Sequence, residues 1–190
     1  LFATGLSLTP PQVGLLAAAG HMTVPVVKRP RVAIIATGDE VIAPGMPLQE
    51  GKLFASNLVT LAAWCSHYGM DVTTRVVADD ATSIRNALGQ AIASHDAIVT
   101  SGGSWTGERD LVVRVLDELG WSKHYHRIRM GPGKAVGFGL LEGKPVFCLP
   151  GGPPSNHIAF LELALPGLMK LGGHQNPGLP RIDVRLGDDI

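Results

Sequence analysis

Residues 96–110 read Asp96-Ala97-Ile98-Val99-Thr100-Ser101-Gly102-Gly103-Ser104-Trp105-Thr106-Gly107-Glu108-Arg109-Asp110, and few folds accommodate such a stretch. The apolar run reads as a short buried strand. The glycine-rich turn after it leads into residues 111–119, where Val112, Val115, Leu116 and Leu119 recur at helical spacing. Strand, glycine turn and helix start form the unit of an open sheet covered by helices, whose ligands bind beyond the carboxyl ends of the strands. Loop N–H groups and helix amino ends favour anions there, and paired glycines let backbone approach a ligand closely. The stretch predicts a site for a phosphorylated or oxyanion ligand, completed by other loops.

The rest of the chain repeats that unit. Val32-Ala33-Ile34-Ile35-Ala36 is a near-continuous apolar run, the pattern of a strand covered on both faces, and it ends in Thr37-Gly38-Asp39-Glu40. Pro44, Gly45, Pro47 and Gly51 make residues 43–51 a loop, after which Ser56 or Asn57 caps a helix carrying Leu58, Leu61 and Cys65. A strand over 71–78 gives way at Asp79-Asp80 to a helix with Ile84, Leu88 and Ile92. Two short runs, 136–141 and 145–149, flank Glu142-Gly143-Lys144 and predict a hairpin. Pro150-Gly151-Gly152-Pro153 then opens a last helix with Ile158, Leu161, Leu165 and Leu168. The expected architecture is a three-layer α/β sandwich with a mostly parallel sheet. Residues 31–174 form this domain. Residues 1–30 read as a lead-in from a preceding domain, with a short helix after Thr9-Pro10-Pro11, and residues 175–190 as a linker and the start of a C-terminal β domain. Both ends read as cut from a longer protein.

Composition narrows the function. With 190 residues and 45% hydrophobic content the chain buries a full core. Sixteen basic residues balance sixteen acidic ones, which gives no field for nucleic acid. No apolar run reaches membrane-spanning length, so no membrane partner is expected. Two cysteines, Cys65 and Cys148, sit in apolar segments and act as small hydrophobes, consistent with a reducing cytoplasm. Homo-oligomerisation to a dimer or trimer is expected.

If the strands are parallel neighbours, the turns at Thr37-Gly38-Asp39-Glu40, at Ser101-Gly102-Gly103-Ser104 through Asp110, and at Pro150-Gly151-Gly152-Pro153 share one pocket. Asp79-Asp80 ends another strand. Carboxylates alone repel an anion, so Glu40, Asp79 and Asp110 suit holders of a Mg²⁺ ion whose shell phosphate oxygens complete. Lys134, with Arg127 and Arg129, would neutralise the oxyanion. Each residue also has a plainer reading. Asp110 in a first helical turn gains from the helix dipole, Asp79 and Asp80 suit caps, and Trp105 either stacks on a heterocycle or closes its loop over the core. His124 and His126, two apart, suit a shared strand face or the surface, and His157 suits a first-turn position.

Together these turns resemble the central domain of the molybdopterin molybdenumtransferases, the MoeA/gephyrin E-domain type of molybdenum insertase. The resemblance runs from about residue 9 to residue 171 and rests on Thr37-Gly38-Asp39-Glu40, Ser56-Asn57, Asp79-Asp80, Ser101-Gly102-Gly103 to Asp110, Pro132-Gly133-Lys134, Phe138-Gly139 and Leu149-Pro150-Gly151. It implies the molybdopterin-binding (MogA-like) fold, shared with the molybdopterin adenylyltransferases. The implied reaction takes molybdopterin adenylate and molybdate, with Mg²⁺, to molybdenum cofactor and AMP. A non-catalytic molybdopterin or cofactor carrier or sensor, or an adenylyltransferase, are the other functions it allows. Glu40, Asp79 and Asp110 fall on the family's acidic active-site positions, Arg127 on a usual lysine, and Pro150 and Pro153 on prolines of the last loop. Three positions depart: Trp105 in the glycine turn, Gly131 where the family carries a lysine, and Gly152 where it carries an asparagine.

Overall fold

A computed structural model describes residues 2–102, 110–185 and 187. The first apolar run lies in β1 (Arg31–Thr37), whose last six residues are all buried. Its side chains alternate between two cores. Val32, Ile34 and Ala36 join one cluster, and Ala33 and Ile35 join the other, which is why the run is continuous rather than alternating.

The elements that follow are β2 (Val41–Ile42), β3 (Leu53–Phe54), α2 (Ser56–His67), β4 (Asp71–Val77), α3 (Ala81–Ser94), β5 (Ala97–Ser101) and α4 (Leu111–Glu118). Then come β6 (Ser122–His126), β7 (Gly137–Leu141), β8 (Lys144–Leu149), α5 (Pro153–Ala159), a π-helical turn (Phe160–Ala164) and α6 (Leu165–Leu171). The main sheet has six strands in the order β4-β1-β5-β8-β7-β6. Strands β4, β1, β5 and β8 are mutually parallel. Strand β7 opposes β8, and β6 opposes β7, so β6 again points with the parallel four. Five strands therefore end on one edge.

Helices α2, α5 and α6 cover one face through Leu58, Leu61, Cys65, Phe160, Leu165 and Leu168. Helices α3 and α4 cover the other through Ile84, Leu88, Val112 and Leu116. The result is the three-layer α/β sandwich with a mostly parallel sheet that the sequence predicts. The hairpin forms as well: Leu141 pairs with Lys144 across Glu142 (φ 49°) and Gly143 (φ 76°), two left-handed residues whose twist suits a two-residue turn. The loop over 43–51 spans β2 and β3, which pair parallel in a separate small sheet.

Two expectations change. No side chain caps α2, whose N-cap is Ala55, so neither Ser56 nor Asn57 serves there. The last helix is also interrupted. Pro166 has no N–H to give the carbonyl of Glu162, and the turn before it widens so that Leu165 donates to the carbonyl of Phe160. The buried stripe of this segment runs through Ala159, Phe160, Ala164, Leu165 and Leu168, while Ile158 is exposed. Helix α1 (Pro10–Ala18) follows Thr9, whose N–H and hydroxyl both meet the Gln12 amide oxygen, and it buries none of its residues.

Candidate functional site

The strand order places the loops after β4, β1, β5, β8 and β6 on one rim, which at about 4.8 Å per strand runs about 24 Å from β4 to β6. Its middle is built of backbone. The N–H of Gly102 donates to the carbonyl of Leu149 at 3.1 Å, tying the β5 turn to the end of β8. A β-carbon on Gly102 (φ +96°) would stand 2.3 Å from the carbonyl oxygen of Thr37, and one on Gly151 would stand 3.5 Å from the Gly102 α-carbon. The three predicted turns thus meet within van der Waals contact, and only glycine fits position 102.

Two asparagines lock that meeting point. Asn57 Nδ2, in the first turn of α2, donates to Ser101 Oγ at 3.1 Å and to the carbonyl of Gly151 at 2.9 Å. Asn156 Nδ2, in α5, donates to the same Ser101 Oγ at 3.0 Å and to the carbonyl of Pro150 at 2.8 Å. Asn156 is buried, with 1% of its surface exposed. Neither amide stands out in the sequence as a site residue. The available signal is that Asn156 falls three and four residues before the buried Ala159 and Phe160, so a polar group lies on a core-facing stripe.

The β4 and β1 ends carry an acidic flank. Asp39 Oδ1 accepts from the N–H of Asp79 at 3.3 Å, and Lys52 Nζ donates to the carbonyl of Asp39 at 2.5 Å. The Glu40 carboxylate folds over Gly38, 2.8 Å from where a β-carbon would sit. Partial burial pushes the Asp79 carboxyl above its ordinary value, and the nearby charges of Asp39, Glu40 and Asp80 push it further. Asp80 has a different duty. It caps α3 by accepting from the N–H of Ser83 at 2.9 Å, and those side-chain and backbone hydrogen bonds lower its carboxyl.

The β6 end carries the other flank. Asp110 is the N-cap of α4, accepting from the N–H of Val113 at 3.2 Å, and only 6% of it is exposed. Burial pushes its carboxyl up to about 6 against the lowering pull of the Val113 N–H and Arg127. His126 Nε2 lies 3.1 Å from Asp110 Oδ2, off the axis of a good hydrogen bond. Burial lowers the His126 imidazole, and the charges of Arg127 and Lys123 lower it further. His126 was expected on the surface or paired with His124 on a metal. Instead it turns toward Asp110, while His124 is exposed against the Phe138 ring, centroids 5.4 Å apart. After β6 the chain loops through Arg127 (φ 71°) and back, with the N–H of Arg127 on the carbonyl of Val136 at 2.7 Å. Arg127, Arg129 and Lys134 are exposed along this loop, and Gly133 packs it against Met130 and the carbonyl of Ser155.

The remaining predicted residues fall as follows. Thr37 ends β1 buried, and its hydroxyl has no partner among the described residues. Pro150 is buried, Gly151 and Gly152 are exposed, and Pro153 opens α5. Gly103, Ser104 and Trp105 lie outside the described residues. Glu40 and Asp79 come together, but Asp110 does not join them. The charges acting on Asp110 are Arg127, Asp117 and Lys123, while those acting on Asp79 are Asp39, Glu40 and Asp80. Among the described residues no group of three such side chains could hold a metal ion, so the expected Glu40, Asp79 and Asp110 trio is not one cluster. The reason is topological, since Asp110 sits beside the end of β6 and Asp79 follows β4 at the opposite edge.

The oxygen-only acidic flank still suits Mg²⁺, which takes one or two protein carboxylates and fills its shell with phosphate oxygens and water. Cys65 and Cys148 are buried and free, and burial pushes both thiols up to about 12, which suits core packing rather than reactivity. Among the described residues no helix is long and apolar enough to cross a membrane.

Comparison with known proteins gives the family of this chain. Residues 33–170 match the family described as "Probable molybdopterin binding domain". A molybdopterin molybdenumtransferase of Nostoc is 33% identical over 177 residues, covering 91% of this chain and 41% of the relative. Molybdopterin molybdenumtransferase 2 of Mycobacterium tuberculosis is 34% identical over 182 residues, covering 93% and 45%. The solved molybdopterin biosynthesis MoeA protein of Pyrococcus horikosii superposes with a TM-score of 0.82 at 34% identity, covering 91% of this chain and 43% of its own. The chain thus spans less than half the length of these relatives. By sequence and by fold, it belongs to the molybdopterin-binding domain family, as a domain of the molybdopterin molybdenumtransferase (MoeA) type.

Proposed function

We propose that this chain acts in molybdenum cofactor biosynthesis, binding molybdopterin adenylate on the rim and, with Mg²⁺, inserting molybdate into it with release of AMP. The convergence of the Thr37-Gly38, Ser101-Gly102 and Pro150-Gly151 turns on one point carries this reading. The names of the curated relatives support it. Close backbone there admits a phosphorylated ligand, and Arg127, Arg129 and Lys134 offer cations on its flank. Gly152 and Pro153 would extend the same binding turns.

Glu40 and Asp79 would hold the Mg²⁺ ion, with Asp39 oriented beside them by the Asp79 N–H. When bound, the cation screens phosphate charge and polarises phosphate oxygens. At the other end Asp110, buried beside His126, has its carboxyl raised to about 6, so it gains and loses a proton just below neutral pH and is placed to exchange it at Oδ2. Thr37, whose hydroxyl has no partner among the described residues, would contribute it as a further donor.

A second reading, a molybdopterin carrier or sensor without turnover, is favoured by Gly131 and Gly152, where a cation and an amide of the family are missing. Incubation with molybdopterin adenylate, molybdate and Mg²⁺ separates the two. Release of AMP is expected. Tight binding without AMP supports the carrier, and no binding removes both.

A further inference from the structure

Ser101 is the last residue of β5 and shares its face of the sheet with Ala97 and Val99, the face covered by α2 and α5. Both asparagines reach it from those helices. Each amide spends one N–H on Ser101 Oγ and the other on a backbone carbonyl of the β8 turn: Asn57 on Gly151, Asn156 on Pro150. Carbonyls only accept, so the orientation of both amides is determined, and it is the nitrogen of each that faces the serine. A hydroxyl oxygen has two lone pairs. Two N–H donors at 3.1 and 3.0 Å occupy both, so this oxygen has no acceptor capacity left.

One function remains to the group, which is to donate its hydrogen. Among the described residues that hydrogen has no acceptor. The same two amides also engage the Pro150 and Gly151 carbonyls, whose negative ends would otherwise face an anion on the rim. The serine ends β5 at the rim, with 4% of its surface exposed, beside the Gly102 turn that packs against Thr37 and Gly151.

We propose that Asn57 and Asn156 are positioning residues that hold the Ser101 hydroxyl as an obligate donor to an oxyanion oxygen of the bound ligand. The inference rests on the reading that the rim binds a phosphorylated pterin, and it adds how that binding is made selective for the charged group. A hydroxyl that can only donate favours an anionic oxygen and disfavours a ligand N–H or O–H at the same place. A charge-assisted hydrogen bond of this kind is worth about tenfold or more in affinity.

Calorimetric titration of this chain with molybdopterin, and with its dephosphorylated form, tests the proposal. Ser101→Ala is expected to weaken molybdopterin binding about tenfold and to leave the dephosphorylated pterin within about twofold. Asn57→Ala, at a half-buried position where folding is least at risk, is expected to weaken molybdopterin binding severalfold. The two changes combined should bind like Ser101→Ala alone, because the amide acts through the hydroxyl. Asn156→Ala should follow Asn57→Ala if that more buried position tolerates the change. If wild type binds molybdopterin while the losses are additive, absent, or equal for both ligands, the positioning role is overturned and the pterin reading stands. If wild type binds neither, both fall together.

Discussion

His126 Nε2 stands 3.1 Å from Asp110 Oδ2 at the β6 end of the rim, and the two come from segments separated by a helix and a strand. Burial raises the carboxyl of Asp110 to about 6, while burial and cationic neighbours lower the imidazole. Asp110 is near 4 when unfolded, so its folded form binds a proton more tightly. The resulting stabilisation is complete below about pH 4 and is lost as pH rises through about 6. Asp110→Asn keeps an N-cap acceptor for Val113 and removes the ionised form. We expect unfolding in urea to show the variant more stable at pH 7 by on the order of 2 kcal/mol, with a flatter profile from pH 4 to 6. An unchanged profile would show that this carboxyl does not titrate as described. AMP release should fall by about a hundredfold or more if the proton at Oδ2 takes part.

At the opposite end, Asp39, Glu40 and Asp79 crowd together, and a cation would relieve that repulsion. Glu40→Gln and Asp79→Asn should each raise the Mg²⁺ concentration needed for half-maximal AMP release by about tenfold or more. Neither should weaken molybdopterin binding measured without Mg²⁺. A loss of pterin affinity with unchanged Mg²⁺ dependence would move the ion elsewhere.

Gly102 supports the rim mechanically. With φ +96° and the Thr37 carbonyl oxygen 2.3 Å from an added β-carbon, Gly102→Ala forces β1 and β5 apart at their ends. Thermal or denaturant unfolding should show a loss of about 2 kcal/mol or more, with pterin binding abolished. Wild-type stability in this variant would mean that the turns do not meet as closely as described.

The two glycines that depart from the family can be tested by restoring its residues. Nothing lies within 4 Å of a β-carbon built on Gly131 or Gly152, and neither has a positive φ, so side chains fit. Gly131→Lys returns a cation beside Arg129 and Lys134, and Gly152→Asn returns an amide donor. Molybdopterin affinity should rise severalfold with Gly131→Lys and less with Gly152→Asn. A fall in affinity without loss of stability would mean that these positions face away from the ligand.

How much was legible in the sequence depended on range. The buried run in β1, the left-handed turn at Glu142-Gly143 and the helix cap at Asp80 are set by neighbours within a few residues, and pattern alone reveals them. The shared rim was also legible, because glycine turns after parallel strands must emerge on one edge. What stayed hidden depends on distant partners. Asn57 looks like a helix cap until α2 is packed against a carbonyl 94 residues later. Likewise, His126 meets Asp110 only because the antiparallel hairpin returns β6 to the direction of the parallel strands. The Glu40, Asp79 and Asp110 trio failed as one cluster for the same reason, since adjacency in a motif says nothing about which strands intervene.

The carboxylates at the amino edge offer a useful contrast. Asp96 accepts from the N–H of Arg31 at 2.9 Å and from its guanidinium at 3.0 Å, and those bonds hold its carboxyl well below the usual range. Such a satisfied group ties β1 to β5 and leaves nothing for a ligand. Near that edge an apolar groove runs between residues such as Leu6, Val26 and His174, beside Lys28 and Arg29.

Whether pterin binds on the carboxyl rim is read by amide chemical-shift mapping during titration with molybdopterin. The largest shifts are expected on Thr37 to Glu40, Ser101 and Gly102, Arg127 to Lys134, and Gly151 and Gly152, with the side-chain amides of Asn57 and Asn156 moving alongside them. Shifts confined to the groove around Leu6, Val26 and His174, with the rim unmoved, would contradict it.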